Sequence, residues 1–143
     1  MSLIDSSTII RVSSTLDKSV GKKHLVDGSP ETCWTSTAGL PQSIELQFYE
    51  AVNPTQLALT FQGGFVGTKC TIYGMPAQGE DIEAQSTVSW HTVTQIFPED
   101  INRRQLFSLK TGTGVEQLAR LKLVFEESSD FFGRITLYNL ELF

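Results

Sequence analysis

The chain has 143 residues, a formal net charge of −5 at pH 7 and 40% hydrophobic residues. This length suits one domain, residues 1–143, with a sizeable core and no room for a second domain. The acidic balance argues against a nucleic-acid binder, because affinity for a phosphate backbone depends on a basic face. No stretch approaches the about 20 apolar residues needed to cross a bilayer, so we expect no membrane association.

The compartment is predicted from the chain start and from the cysteines. Residues 1–5 lack both the positive region and the apolar region of a secretory signal. Cys33 and Cys70 are the two cysteines, and no Asn-x-Ser/Thr glycosylation acceptor is present. These features predict an intracellular protein, in nucleus or cytoplasm, with both thiols reduced. A Cys33–Cys70 disulfide is the alternative, but apolar, strand-like surroundings favour two small buried thiols.

Alternating apolar and polar residues predict β-strands along most of the chain, as in residues 44–48. Shifts in this alternation predict β-bulges between Trp90 and Val93 and between Leu137 and Leu140. Short strands at this spacing predict an all-β, antiparallel β-sandwich of jelly-roll type, with about eight strands and little helix. In chain order, the predicted strands are residues 8–12, 44–48, 57–61, 69–73, 88–96, 105–109, 121–125 and 134–143.

Residues 24–36 form the most informative loop. Asp27-Gly28 predicts a tight turn, in which Gly28 supplies a positive φ and the carboxylate accepts from backbone N–H groups. The oxygens of Asp27, Ser29 and Thr32 could converge on calcium, which takes six to eight oxygen ligands. The alternative is a self-capped loop in which Asp27 and Thr32 satisfy backbone donors and no metal binds. Near the end of this stretch, Trp34 is predicted to fill the core, and so is the later Trp90.

Groups suited to catalysis are few. His24 and His91 are the two histidines, and no Ser or Cys lies in a nucleophile motif. We expect His24 to bond to loop backbone and His91 to be exposed on a strand. The neighbouring carboxylates at 99–100 and 126–127 are expected to be solvated in loops. The sequence therefore predicts a non-enzymatic protein with no cofactor.

The pattern of Asp27, Gly28, Thr32 and Trp34 resembles the signature loop of discoidin, or coagulation factor V/VIII C-type, domains, which belong to the galactose-binding-like superfamily. Within that family the chain most resembles the small single-domain nuclear receptor-associated proteins, although residues 75–87 look like an insertion. The stretches that resemble the family follow its order and are residues 11–14, 21–25, 59–65, 90–100 and 124–135.

The resemblance implies a function as well as a fold. Nuclear receptor-associated proteins are partners of an orphan nuclear receptor, so it implies a monomeric protein-binding module that damps the receptor's transcriptional activity. A carbohydrate-binding module that uses the same loops is one alternative. A subunit of a larger intracellular assembly is another, since such subunits share this fold.

The resemblance also implies a set of metal ligands. In carbohydrate-binding relatives the loop supplies carbonyls and the Asp and Thr side chains, and a Glu in the last strand completes a calcium shell. Here Asn139 takes that position, and Glu141 lies two residues further on. Because loss of a carboxylate lowers calcium affinity, we expect weak or absent binding. The candidate ligands are the Leu25 and Ser29 carbonyls, Asp27, Thr32 and Asn139.

Ligand contacts in discoidin-like folds come from loops at one end of the sandwich. Phe65 lies among glycines in loop 62–67. Phe131 and Phe132 are adjacent, and in an extended chain two adjacent side chains cannot both face the same core. Exposed aromatic and Arg side chains are typical interface anchors. The alternative is that these residues are structural, with the Arg paired to Asp130 or Glu126. The candidate partner contacts are Phe65, Phe131 and Arg134.

Overall fold

A computed structural model of the chain describes residues 2–77, 90–109 and 117–143. Residues 88–89 of the predicted strand 88–96 and residues 78–87 of the insertion lie outside the described residues. Two antiparallel sheets form a β-sandwich, which confirms the predicted fold class. Its strands are β1 (Ile9–Val12), β2 (Trp34–Thr35), β3 (Gln42–Val52), β4 (Gln56–Phe61), β5 (Gly67–Pro76), β6 (His91–Ile96), β7 (Arg104–Ser108), β8 (Leu118–Ser128) and β9 (Thr136–Leu142).

The first sheet has the strand order β1-β3-β8-β5-β6, and the second has the order β2-β9-β4-β7. The helical content of the described residues is confined to two 3-10 turns, Lys18–Val20 and Lys22–Leu25. Strand β2 was not predicted, because two residues are too few to show alternation. It pairs with β9 and brings the signature loop beside the last strand.

Both predicted β-bulges are confirmed. Val93 is the extra residue of β6, because the pairing with β5 skips it. Tyr138 is likewise the extra residue of β9, because the pairing with β4 skips it. An extra residue in one strand reverses the alternation of sides, which explains the shift in apolar pattern seen in the sequence.

The core lies between the two sheets. Trp34 is fully buried, as predicted, and its indole Nε1 donates to the Ser14 carbonyl over 3.0 Å. Phe61 and Phe125, one from each sheet, meet edge to face with ring centroids 5.8 Å apart. The prediction for Trp90 is wrong: its side chain is half-buried, and the Lys122 ammonium lies 5.6 Å from its ring centroid.

Cys33 and Cys70 are both free thiols. Cys70 is buried on β5, and burial raises the pKa of its thiol. The prediction of a buried thiol is wrong for Cys33, which is half-buried with its Sγ 3.6 Å from Thr35 Oγ1. Across residues 2–77, 90–109 and 117–143, no helix has the length and apolar character of a membrane span.

Candidate functional site

The signature loop is closed by its own side chains. Gly28 adopts a φ of 73°, as the turn prediction requires. One Asp27 carboxylate oxygen accepts from the Ser29 N–H over 2.9 Å. The other accepts from the Thr32 hydroxyl over 2.6 Å and lies 2.9 Å from His24 Nδ1. The Thr32 hydroxyl, the Ser29 N–H and the His24 ring together lower the pKa of Asp27 to about 2.

His24 is therefore tied to a side chain. The expectation that it bonds to loop backbone is wrong, because Nδ1 meets the Asp27 carboxylate instead. With its pKa near 2, this carboxylate is ionised at neutral pH and can only accept a hydrogen bond. His24 consequently carries its proton on Nδ1, as a donor to the loop.

The described residues do not fit a calcium shell as they stand. Asp27 is the one carboxylate of the predicted set, and three donors of the loop already occupy its oxygens. Asn139 turns its amide toward Glu141, with Nδ2 donating to Oε1 over 3.1 Å. Leu25 is fully buried at the end of a 3-10 turn. No group of three or more His, Cys, Asp or Glu side chains suited to a metal occurs within the described ranges.

Asp130 and Arg134 fix the loop between β8 and β9. The Asp130 carboxylate accepts from the Arg134 backbone N–H over 3.0 Å and from Arg134 Nε over 3.1 Å. Mainly through this side-chain hydrogen bond, Arg134 lowers the pKa of Asp130. Gly133 lies between them with a φ of 81°, and a Cβ there would come within 3.0 Å of the Leu40 side chain. Only glycine fits this turn without strain.

One aromatic side chain from each of two loops lies near Arg134. Its guanidinium carbon lies 5.5 Å from the Phe65 ring centroid and 5.6 Å from that of Phe132. Phe131 and Phe132 are in edge-to-face contact at 5.4 Å and are 94% and 61% exposed. Leu40 is also exposed, and the neighbouring Gly39 N–H donates to the Phe132 carbonyl over 2.8 Å. We call Leu40, Phe131 and Phe132 the apolar tip.

The loop between β4 and β5 is fastened to the same end of the sandwich. The Gly63 N–H donates to Asn102 Oδ1 over 2.9 Å, and the Gly64 N–H donates to Asp100 Oδ1 over 2.8 Å. Asp100 is exposed, as expected, and its carboxylate also caps this loop. The loop position expected for residues 126–127 is wrong, because both lie in β8, where Glu126 accepts from the Thr71 hydroxyl.

The structure places the three predicted contacts together but in different roles. Phe131 projects outward, whereas Phe65 is half-buried under the guanidinium of Arg134. Arg134 is paired with Asp130, which is the structural alternative stated above. Sequence reasoning missed Phe132 and Leu40. The adjacent Phe-Phe pair was a signal for Phe132, but an exposed Leu in a loop carries none.

A separate shallow cavity of about 570 Å³ lies beside the signature loop. None of the residues lining it is charged, and Ser29 and Asn139 of the predicted metal set both border it. Tyr138, the bulge residue of β9, supplies its aromatic surface. The lining residues are Gly28, Ser29, Pro30, Thr60, Asn102, Tyr138 and Asn139.

The solved structures that this chain resembles include carbohydrate-binding modules. The chain superposes with a TM-score of 0.73 on a chitosan-binding module of a chitosanase/glucanase from Paenibacillus sp. IK-5, at 16% identity over 96% of this chain and 95% of that one. It superposes with a TM-score of 0.72 on the family 32 carbohydrate-binding module of Clostridium perfringens NanJ, solved with galactose, at 16% identity over 96% and 93% of the chains. The fold is therefore that of the discoidin-like, galactose-binding-like domains, as predicted.

Sequence comparison identifies the family. The chain is 36% identical to the human nuclear receptor 2C2-associated protein and 39% identical to those of mouse and zebrafish. Each alignment covers 99% of this chain and 94% of the relative. The chain belongs to the nuclear receptor 2C2-associated protein family. No family model matches it.

Proposed function

We propose that this chain is a non-enzymatic, intracellular, monomeric protein-binding module whose apolar tip docks on a nuclear receptor and damps its transcriptional activity. The observation that carries the proposal is the exposure of Phe131 and Phe132 on a loop locked by the Asp130–Arg134 pair. The names of the relatives supply the class of partner.

The energetics of the tip favour docking. An exposed aromatic side chain leaves a large apolar surface in contact with water. Burying such a side chain in an interface contributes about 1.5–3 kcal/mol to the free energy of binding. A rigid loop reduces the ordering cost that a flexible one would add on binding. Arg134 supplies this rigidity, because its guanidinium contacts the rings of Phe132 and Phe65 and is itself held by Asp130.

The tip also suggests the shape of the partner site. Phe131 and Phe132 project from the loop and are exposed, so the partner must provide an apolar pocket or groove for them. Because exposed loop residues do not pack in the core, they can be substituted without unfolding the sandwich.

The test is binding of purified full-length nuclear receptor 2C2, measured by biolayer interferometry. The Phe131→Ala/Phe132→Ala double variant should weaken binding by about thirtyfold or more, since central interface aromatics contribute about 2 kcal/mol or more. Tyr49→Ala is the matched control, because Tyr49 is an 82% exposed aromatic outside the tip. Equal binding by the wild type and the double variant would remove the apolar tip from the interface.

A second experiment separates the classes of function. Affinity purification of the tagged chain from native cells should recover a nuclear receptor, and in a receptor-dependent reporter assay wild type should lower the signal more than the double variant. Recovery of a multi-subunit complex would favour an assembly subunit. Recovery of a glycan would favour the carbohydrate module, for which the uncharged cavity that includes Tyr138 is the candidate binding site.

A further inference from the structure

One edge of the four-stranded sheet is formed by β7, whose neighbour is β4. The Leu109 N–H donates to the Thr55 carbonyl over 2.8 Å, which shows the side of the chain that faces β4. Main-chain groups alternate in direction along a strand, so Phe107 and Gln105 also face β4. The N–H and C=O groups that point away from the sheet belong to Arg104, Leu106 and Ser108.

Within the described residues this edge is open, whereas the opposite edge of the same sheet, at β2, is covered. Strand β2 is covered, because the Leu16 N–H donates to the Thr35 carbonyl over 2.8 Å. Along β7, by contrast, the outward main-chain groups make no hydrogen bond to any of the described residues. The side chain of Leu106, at the middle of the strand, is 54% exposed. Unpaired groups beside an exposed apolar side chain form a template for another strand.

We propose that β7 is a docking site for an extended segment of a protein partner, which joins the four-stranded sheet as a fifth, antiparallel strand. Main-chain hydrogen bonds to Arg104, Leu106 and Ser108 supply the affinity. Side chains opposite β7 supply the selectivity, since residues that face each other across strands lie about 5 Å apart.

The side chains of β7 define the segment. An apolar residue faces Leu106, and an acidic residue two positions later in the antiparallel strand faces Arg104. Arg104 already binds Glu141 through Nε at 2.9 Å, and its terminal nitrogens remain as donors for a second carboxylate. Arg103 is exposed and makes no ion pair within the described part of the chain. The segment is therefore of the form apolar-x-acidic.

A second copy of the chain fits this edge less well. A β7–β7 contact would bring together two molecules of net charge −5 over strands of five residues. Strands of five residues offer little area compared with the about 1,000 Å² that a stable interface buries. Centred on Leu106, a β7–β7 contact would place Arg104 opposite Ser108 and supply no carboxylate, whereas a partner segment can place an acidic residue opposite Arg104. We therefore assign the edge to a partner.

The probe is the synthetic peptide acetyl-Thr-Val-Thr-Ile-Thr-Asp-Thr-amide, which places Ile opposite Leu106 and Asp opposite Arg104. At millimolar concentration it should shift the ¹H–¹⁵N amide signals of β7 in the full chain and slow their exchange with solvent. The same peptide N-methylated at Ile lacks the N–H that faces the Leu106 carbonyl, at the centre of the contact, and should bind about tenfold more weakly or not at all.

The protein variants test the same edge from the other side. Leu106→Pro removes an N–H that faces away from β4, so the ladder within the sheet is kept while peptide binding is lost. Leu106→Thr keeps that N–H and should retain part of the binding. The proposal is overturned if the peptide leaves the amide signals of β7 unchanged or shifts only those of the apolar tip. It is also overturned if the N-methylated peptide binds equally well, or if the β7 signals shift with protein concentration in the absence of peptide.

Discussion

Arg134 Nε donates to the Asp130 carboxylate over 3.1 Å, and the backbone N–H of Arg134 donates to the same oxygen over 3.0 Å. These two hydrogen bonds close a loop of five residues around Gly133. The guanidinium carbon then lies 5.5 Å from the ring centroid of Phe65 and 5.6 Å from that of Phe132. This geometry favours a positioning role for Arg134 toward the aromatic side chains, whereas the sequence suggested a direct contact with the partner.

Arg134→Lys should keep the positive charge and lose the positioning. A lysine ammonium lacks the planar face and the fixed Nε donor that serve two rings and a carboxylate at once. We expect receptor binding to fall by about tenfold, the effect of about 1.4 kcal/mol. Arg103→Lys is the matched control, because Arg103 is exposed and lies outside this cluster. Retained affinity in Arg134→Lys would show that charge alone suffices.

Trp34→Ala should lower the free energy of unfolding by about 3–5 kcal/mol, the range for a buried large aromatic cut to Ala. The indole is fully buried and also satisfies the Ser14 carbonyl, so the variant leaves a cavity and an unpaired acceptor. Denaturant unfolding measures the change. Tyr49→Ala, an exposed aromatic, should stay within about 0.5 kcal/mol of wild type. A midpoint for Trp34→Ala equal to wild type would contradict the buried position.

The two thiols should both react with a thiol reagent after unfolding without reductant, because both are free in the structure. In the native protein Cys33 should react first. It is half-buried, whereas Cys70 is buried and its raised pKa suppresses the reactive thiolate. The Cys33→Ala variant, which retains only Cys70, provides the control. Recovery of no thiol from unfolded wild-type protein would reveal a disulfide.

Local periodicity was enough to predict most of this fold. Long strands such as β3 and β8 bury one face, so their alternation is visible in the sequence, and so are the bulges at Val93 and Tyr138. Strand β2 was beyond this reasoning, since two residues have no period. Its position depends on pairing with β9, which is a long-range contact.

The candidate site was less predictable because its contacts cross between loops. Leu40 is placed in the apolar tip by the neighbouring Gly39, whose N–H donates to the carbonyl of Phe132, about 90 residues later in the chain. The sequence could suggest that Arg134 pairs with Asp130, but the stacking of Phe65 on the same guanidinium requires the folded geometry. The open edge at β7 follows from strand order, which periodicity does not report.

Asp27 should make stability depend on pH in the acid range. Its pKa is about 2 in the folded chain against an ordinary value of 3.8, so the ionised carboxylate stabilises the fold above about pH 4. This contribution is lost as the pH falls through the folded pKa. Asp27→Asn should therefore lower the urea midpoint at neutral pH, and the difference from wild type should shrink toward pH 2. A difference that stays constant between these pH values would contradict this role.

Calcium should bind weakly or not at all at cytosolic concentrations. Asn139 takes the place of the expected carboxylate, and the oxygens of Asp27 are engaged with Ser29, Thr32 and His24. Sensor sites with several carboxylates bind at about 10⁻⁷–10⁻⁵ M, so a site with one should bind far more weakly. A chelator should then leave the melting temperature unchanged, because a ligand far below its dissociation constant contributes almost no stability.

Asp27→Ala should lower the melting temperature equally with chelator and with added calcium, since it removes a hydrogen-bonded cap. A fall on chelation that calcium restores and Asp27→Ala abolishes would establish a metal site and strengthen the carbohydrate-module alternative.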